Sequence, residues 1–331
     1  MINAFQRRLT AFLVDYLPRQ RGMSANTVTA YRDTFILLLR YMRDEMGIPV
    51  ENVDFDSLGK ETINGFLGWL SASRNSSDRT CNNRLTAIKS FYHYVQSVAP
   101  ELISQTAGVL SIRDKKVAQV PIPYLTVAAV GYILAAAESA GIRTLAMLSL
   151  LYDSGARVQE LCDLKVYDLH LERPATVRLT GKGKKTRIVP LTPQVAGILK
   201  KYLKDADITE KSAPLLTNNR DETIGRAGVA YILKACVKNA AAVHPGFLPQ
   251  KVTPHQLRHS KAVHMLENGI NLVYIRDFLG HGSVVTTEMY AKASPELKRR
   301  ALEKAGAEII KKSRYAPKMK KNLLDWLKEN I

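Results

Sequence analysis

The sequence is poor in cysteine, tryptophan and acidic residues, and it has no long apolar run. Its three cysteines, Cys81, Cys162 and Cys236, are odd in number and far apart. That argues against a disulfide framework and fits small buried thiols in a reducing cytosol. No apolar stretch reaches the roughly 18 residues of a membrane span. Charges interrupt the N-terminal "MINAFQRRLTAFLVDYLPRQ" where a signal peptide would need an unbroken apolar block. The expected location is therefore the cytoplasm, with no membrane partner. The acidic deficit says more. With 48 Lys+Arg against 30 Asp+Glu, the net charge is +18, and such a chain suits a polyanionic partner. Residues 1–110 hold 12 basic and 10 acidic side chains, whereas residues 111–331 hold 36 and 20. The excess lies where chemistry on a phosphate would need it, although ribosome or membrane-surface binding would also make a basic chain.

What is present is the 46% hydrophobic, 24% charged composition of a globular protein, long enough for two domains. The first hundred residues read as a small helical bundle. "SANTVTAYRDTFILLLRYMRDEMG" puts Val28, Tyr31, Phe35, Leu38, Leu39 and Met42 on one face, with Ser24 or Asn26 as N-cap and Gly47 as terminator. Ile63, Phe66, Leu67 and Leu70 repeat the spacing, as do Leu85, Ile88, Phe91, Tyr92 and Val95. A helix over Ile2–Leu17 makes four. The aromatic residues on these faces read as core. The arginines opposite them suit either a phosphate backbone or plain solvent. Residues 111–123, polar and carrying Pro121 and Pro123, read as an extended linker. A second domain over 124–310 opens with two helices, the second apolar nearly all round. It continues through "ATVRLTGKGKKTRIVPLT" as two short antiparallel strands about a Gly-rich turn, and then returns to helical periodicity. The expected class is mainly α with a small antiparallel β-sheet, with a tail over 311–331.

Four stretches could carry chemistry. In "YDSGARVQELCDL", Gly155 ends the buried helix, and Glu160 lies one turn after Arg157, able to hold its guanidinium. A held arginine clamps phosphate well; it is also an ordinary i,i+3 ion pair. In "TGKGKKTRIVPL", Lys182 stands between two glycines at a hairpin tip, beside Lys184, Lys185 and Arg187. Neighbouring cations lower a lysine's proton affinity, which suits protonation of a leaving oxygen; a solvated loop fits the same residues. The spacing excludes a nucleotide-binding P-loop. In "VTPHQLRHSKAVHML", Thr253, Pro254 and Gln256 form a capping box, placing His255 and Arg258 near a helix N-terminus that favours an anion. His255 and His259 at i,i+4 raise the question of zinc. The glutamate of the metalloprotease pattern is absent, and no acidic third ligand follows, so no metal is expected. In "LGHGSVVTTEMYAKAS", His281 lies between two glycines, and Ser283 can cap a short helix carrying Tyr290. Its valines and threonines make that helix intrinsically weak.

Arg157 in "GARVQEL", Lys182 in "GKGKKTRIVPL", "TPHQLRH" and "LGHGSVVTTEMY" together resemble the ordered motif set of the tyrosine recombinases, of the phage-integrase and Xer type. "SANTVTAYRD" and "NNRLTAIKSFYHYV" resemble that family's helical core-binding, SAM-like domain, expected over 1–110. The resemblance implies that Tyr290 attacks a DNA phosphodiester, forming a 3′-phosphotyrosyl intermediate and releasing a 5′-hydroxyl. Arg157 and Arg258 would bind the non-bridging oxygens and Lys182 would act as general acid. His255 would assist as acid/base, His281 would stabilise the phosphate or position Tyr290, and Glu160 would support the site. No ATP, metal or other cofactor is implied. The implied partners are double-stranded DNA recombination sites held by a homotetramer that works through a Holliday junction. A second recombinase or a directionality factor would be a further partner, and the setting would be a bacterial nucleoid. Two positions depart from the pattern: Lys261, where many members carry an aromatic or apolar residue, and Gly282, where a small polar one is usual.

The tail carries an apolar stripe of Leu323, Leu324, Leu327 and Ile331 beside Trp326. Family members pass such a helix to a neighbouring subunit; packing on its own domain fits equally. Integration, excision or transposition of a mobile element is the expected role, with Xer-type dimer resolution as the alternative. A type IB topoisomerase is the enzymatic rival, and a non-catalytic DNA-binding protein the rival of another class.

Overall fold

In the computed structural model, residues 3–118, 122–181, 183, 185–281, 283, 287–290 and 299 are described. Lys182, Gly282 and the tail from 311 onward fall outside them. The chain divides into two compact units, Met1–Gln119 and Val120–Ile331.

The first unit is helical, as its periodicity requires. Helix α1, Ala4–Ala11, starts from a capping box in which Asn3 and Gln6 satisfy each other's backbone N–H. It runs on as a wider π-type helix over Phe12–Gln20, which contains Pro18; proline has no N–H for the ordinary ladder. Helix α2, Ala25–Asp44, is capped by Ser24, and α3 spans Lys60–Ala72. Helix α4, Asp78–Val98, is capped by Ser77, and α5 spans Ile103–Leu110. The apolar faces read from spacing close on one core: Phe35, Leu38, Met42, Ile63, Phe66, Leu70, Leu85, Ile88, Phe91 and Val95 are buried, and Val28, Tyr31 and Leu39 pack at its margin. Phe12, Phe35 and Phe91 meet edge to face within 6.5 Å. The aromatic residues are core, as their helical spacing indicates.

The second unit is a mostly helical body around a three-stranded sheet. Helix α6, Val127–Ser139, is capped by Thr126. Helix α7, Ile142–Asp153, is buried on nearly every side, which its unbroken apolar run anticipates. The short α8, Val158–Cys162, follows. Strands β1, Leu169–His170, β2, Thr176–Thr180, and β3, Thr186–Pro190, pair antiparallel in the order β1-β2-β3. Val177 faces Val189 and Leu179 faces Arg187 across β2 and β3. The first strand, only two residues long, has no visible alternation in sequence. Helices α9, Pro193–Asp205, α10, Arg226–Val243, α11, Pro254–Glu267, and α12, Leu272–Leu279, follow. Among the described residues no helix is long and apolar enough to cross a membrane.

Candidate active site

The site begins where α7 stops. Ser154 caps the helix and Gly155 takes φ +57°, a left-handed turn that only glycine adopts at little cost. A methyl group there would also stand 2.9 Å from Leu279 Cδ2. The turn delivers Arg157 to the N-cap of α8. Glu160, one turn on, accepts from the Arg157 backbone N–H at 2.8 Å and from Arg157 Nη1 at 2.8 Å. Clamp and ion pair thus coincide. The carboxylate has a second cation that spacing did not reveal. Arg187, on β3, donates to both Glu160 oxygens at 3.0 and 2.7 Å and to the Phe278 carbonyl at 2.9 Å. Burial alone would raise the Glu160 pKa; the Arg187 and Arg157 hydrogen bonds outweigh it and hold it at about 2. Arg157 remains partly exposed while Glu160 is buried. An anion can therefore reach the guanidinium but not the carboxylate behind it.

Arg258 is fully buried, 1% exposed. The capping box of Thr253 and Gln256 starts α11 as its sequence predicts. From its second turn Arg258 donates to the Gly155 carbonyl and the Leu279 carbonyl, each at 2.6 Å, with Glu160 Oε2 at 4.0 Å. One guanidinium thus joins the turn after α7 to the end of α12. Burial, with Arg157 nearby, lowers its pKa to about 9, which leaves it charged at neutral pH.

Three histidines and a phenol complete the cluster. Tyr290 is 1% exposed and packs with Ala262, Val263, Ile275 and Leu279. Its hydroxyl lies 2.9 Å from His259 Nδ1. Burial raises the phenol pKa, against the pull of Arg258 and Arg157. His281 stacks on the Tyr290 ring, centroids 6.1 Å apart and planes 18° apart, and its Nδ1 lies 3.1 Å from Thr287 Oγ1. His255 is exposed and meets the His259 ring edge to face at 4.2 Å. Burial and the neighbouring cations lower all three imidazoles, His259 and His281 to about 4. All three are neutral at pH 7.

Of the residues singled out from sequence, Arg157, Glu160, His255, Arg258, His281 and Tyr290 converge. Lys182 lies outside the described residues. Its neighbour Gly181 comes close: a methyl group there would stand 2.9 Å from Glu160 Oε1 and 3.6 Å from Arg157 Nη1. The Gly181 N–H donates to the Lys185 carbonyl at 2.8 Å, closing the hairpin base. Arg187 and His259 were missed as site residues. The i,i+4 spacing of His255 and His259 drew attention to zinc, and nothing in the sequence brings Tyr290 onto His259.

A buried phenol amid cations on a helical unit is the architecture of a DNA strand transferase, and known proteins make the assignment. The phage integrase family matches residues 123–296, and the N-terminal SAM-like domain of phage integrases matches residues 9–97. An integrase/recombinase of Sinorhizobium fredii, y4rC, is 33% identical over 93% of this chain and 94% of its own length. Tyrosine recombinase XerD of Listeria monocytogenes is 32% identical over 83% and 90%. The Tn1549 transposon integrase, solved with transposon right-end DNA, has the same fold at 18% identity: TM-score 0.68, covering 89% of this chain and 98% of that one. So does a lambda integrase tetramer bound to a Holliday junction, at 18% identity: TM-score 0.63, covering 86% and 76%. This chain belongs to the phage integrase family. It is a tyrosine recombinase, a site-specific enzyme that acts by cleaving and rejoining DNA strands.

Proposed function

We propose that this chain recombines paired DNA sites as a homotetramer, with Tyr290 as nucleophile, in the integration, excision or transposition of a mobile element. The observation that carries the reading is the convergence of Tyr290 with Arg157, Arg258 and three neutral histidines around one carboxylate-braced cluster. Arg157 and Arg258 neutralise the non-bridging oxygens of a phosphodiester, where negative charge accumulates during attack. Glu160 and Arg187 keep Arg157 in place. His281 orients the Tyr290 ring, His255 assists in proton transfer, and Lys182 protonates the departing 5′-oxygen. The phosphotyrosyl bond keeps the energy of the broken diester, so rejoining needs no ATP or metal. Supporting the mobile-element role, the y4rC relative runs the length of the chain, and the Tn1549 integrase shares the fold. The XerD likeness favours dimer resolution as the second reading.

The test is a nicked suicide substrate carrying the candidate site. The expected result is a protein–DNA adduct that survives denaturant and is lost in Tyr290→Phe with binding retained. A Tyr290→Phe protein that still forms the adduct overturns the assignment. Recombination of plasmids carrying either element ends or a replication-terminus site then separates the two roles.

A further inference from the structure

Strand cleavage by a phenol raises a question that the positions of His255 and His281 do not answer: which group takes the proton from the hydroxyl. The Tyr290 phenol is buried and its pKa is raised, so phenolate is scarce at neutral pH. His281 lies parallel to the Tyr290 ring with its Nδ1 turned to Thr287, and His255 meets His259 rather than the phenol. Among the described residues, the atom in hydrogen-bond reach of the hydroxyl is His259 Nδ1, at 2.9 Å. We infer that His259 is a catalytic residue, the base that accepts the Tyr290 proton during cleavage and returns it during rejoining. The inference rests on Tyr290 being the nucleophile.

The helix holds His259 still for this task. Ser260, the next residue, donates to the Gln256 carbonyl at 2.7 Å and accepts the Leu125 N–H at 2.8 Å, so α11 is pinned on the far side of the imidazole. Burial, with Arg258 nearby, keeps the ring neutral, and in the tautomer that carries its proton on Nε2 the Nδ1 lone pair accepts the Tyr290 hydroxyl. An arriving phosphodiester offsets the positive charge of Arg258, and this raises the basicity of His259 when it is needed. In the step itself, the Oη–P bond forms as the Oη–H proton passes to Nδ1. The P–O5′ bond breaks with its electron pair going to O5′, which takes a proton from the acid assigned to Lys182. In rejoining, the 5′-hydroxyl attacks and gives its proton back to Lys182, while the imidazolium returns its own to Oη as the P–Oη bond breaks.

A 5′-bridging phosphorothiolate separates base from acid, because a thiolate leaves without a proton. On suicide substrates of both kinds, His259→Gln should bind DNA as the unsubstituted protein does. It should cleave both substrates more slowly by about a hundredfold. Lys182→Ala should be slow on the phosphodiester and restored on the phosphorothiolate. Restoration of His259→Gln by sulfur would make His259 an acid and overturn the inference. Rates for His259→Gln within threefold of the unsubstituted protein on both substrates would reduce its hydrogen bond to packing. If His259→Gln fails to fold, the unsubstituted protein still decides. Its cleavage of the phosphorothiolate should slow in deuterium oxide, since the phenol proton is the one left in flight; an unchanged rate overturns the inference. Absence of any adduct from the unsubstituted protein would instead remove the Tyr290 reading beneath it.

Discussion

Glu160 receives four hydrogen bonds from two arginines while nearly excluded from water. A carboxylate so placed makes the site dependent on its own charge. Its folded pKa of about 2 lies below the ordinary 4.5, so its contribution is complete above pH 4.5 and drains away as pH falls toward 2. His259 and His281, at about 4 against 6.5, add a loss between pH 6.5 and 4, because the unfolded chain takes up protons that the folded one refuses. Urea unfolding should show stability falling continuously from pH 6.5 downward. Glu160→Gln should be less stable at pH 7 by about 3 kcal/mol, since it leaves the largely buried Arg187 and the partly exposed Arg157 short of their counter-charge, and should respond less to pH below 4.5. Equal slopes for both proteins in that range would contradict this account of the carboxylate. The sequence made Arg157 and Glu160 legible because they are three residues apart on one helix. Arg187 was hidden because the fold, not the spacing, brings β3 to α8, and His259 because its partner is 31 residues away.

Between elements, a second buried carboxylate acts as a brace, in the pair Asp153–Lys261. Asp153 is the last residue of α7. Its Oδ1 receives Lys261 Nζ at 2.9 Å, and its Oδ2 receives the Thr192 N–H at 2.8 Å and hydroxyl at 3.1 Å. One carboxylate thus joins α7, α11 and the N-cap of α9. The ammonium also sits 5.3 Å from the Tyr152 ring centre and 5.9 Å from that of Phe278. Because Arg258 is three residues before Lys261, and Gly155 two after Asp153, the pair braces the turn that holds Arg258. Lys261→Met should cost about 2 kcal/mol, less than a fully buried pair because the lysine keeps some solvent. Combined with Asp153→Asn, the loss should be less than the sum of the single changes. Strict additivity in urea unfolding would mean that the two side chains do not stabilise each other. Sequence marked Lys261 as out of pattern but gave no sign of a partner 108 residues earlier. The helices themselves were legible, since a 3.6-residue stripe needs only local information; the two-residue β1 and the π-type extension of α1 leave no such stripe.

Across the whole chain, charge is the property that spans both functional readings. Residues 1–110 are nearly balanced, and residues 111–331 carry the excess. A duplex bound by that surface releases counterions in proportion to the phosphates neutralised. With six contacts, the logarithm of the binding constant should fall against log salt with a slope of about −5. The tail offers a way to separate binding from assembly. Residues 316–331 include four lysines and two acidic residues, a small part of the excess, while their apolar stripe is suited to a protein surface rather than to DNA. Truncation after Tyr315 should therefore leave single-site affinity and its salt slope close to those of the full chain, measured by gel shift from 50 to 200 mM salt. Recombination between two sites, and the slow-migrating complex that holds both, should disappear. A truncated protein that recombines at the full rate would assign the stripe to packing within its own subunit. One that loses affinity and slope together would place the tail lysines on the DNA, and would move part of the electrostatic footprint from the second unit's body to its end.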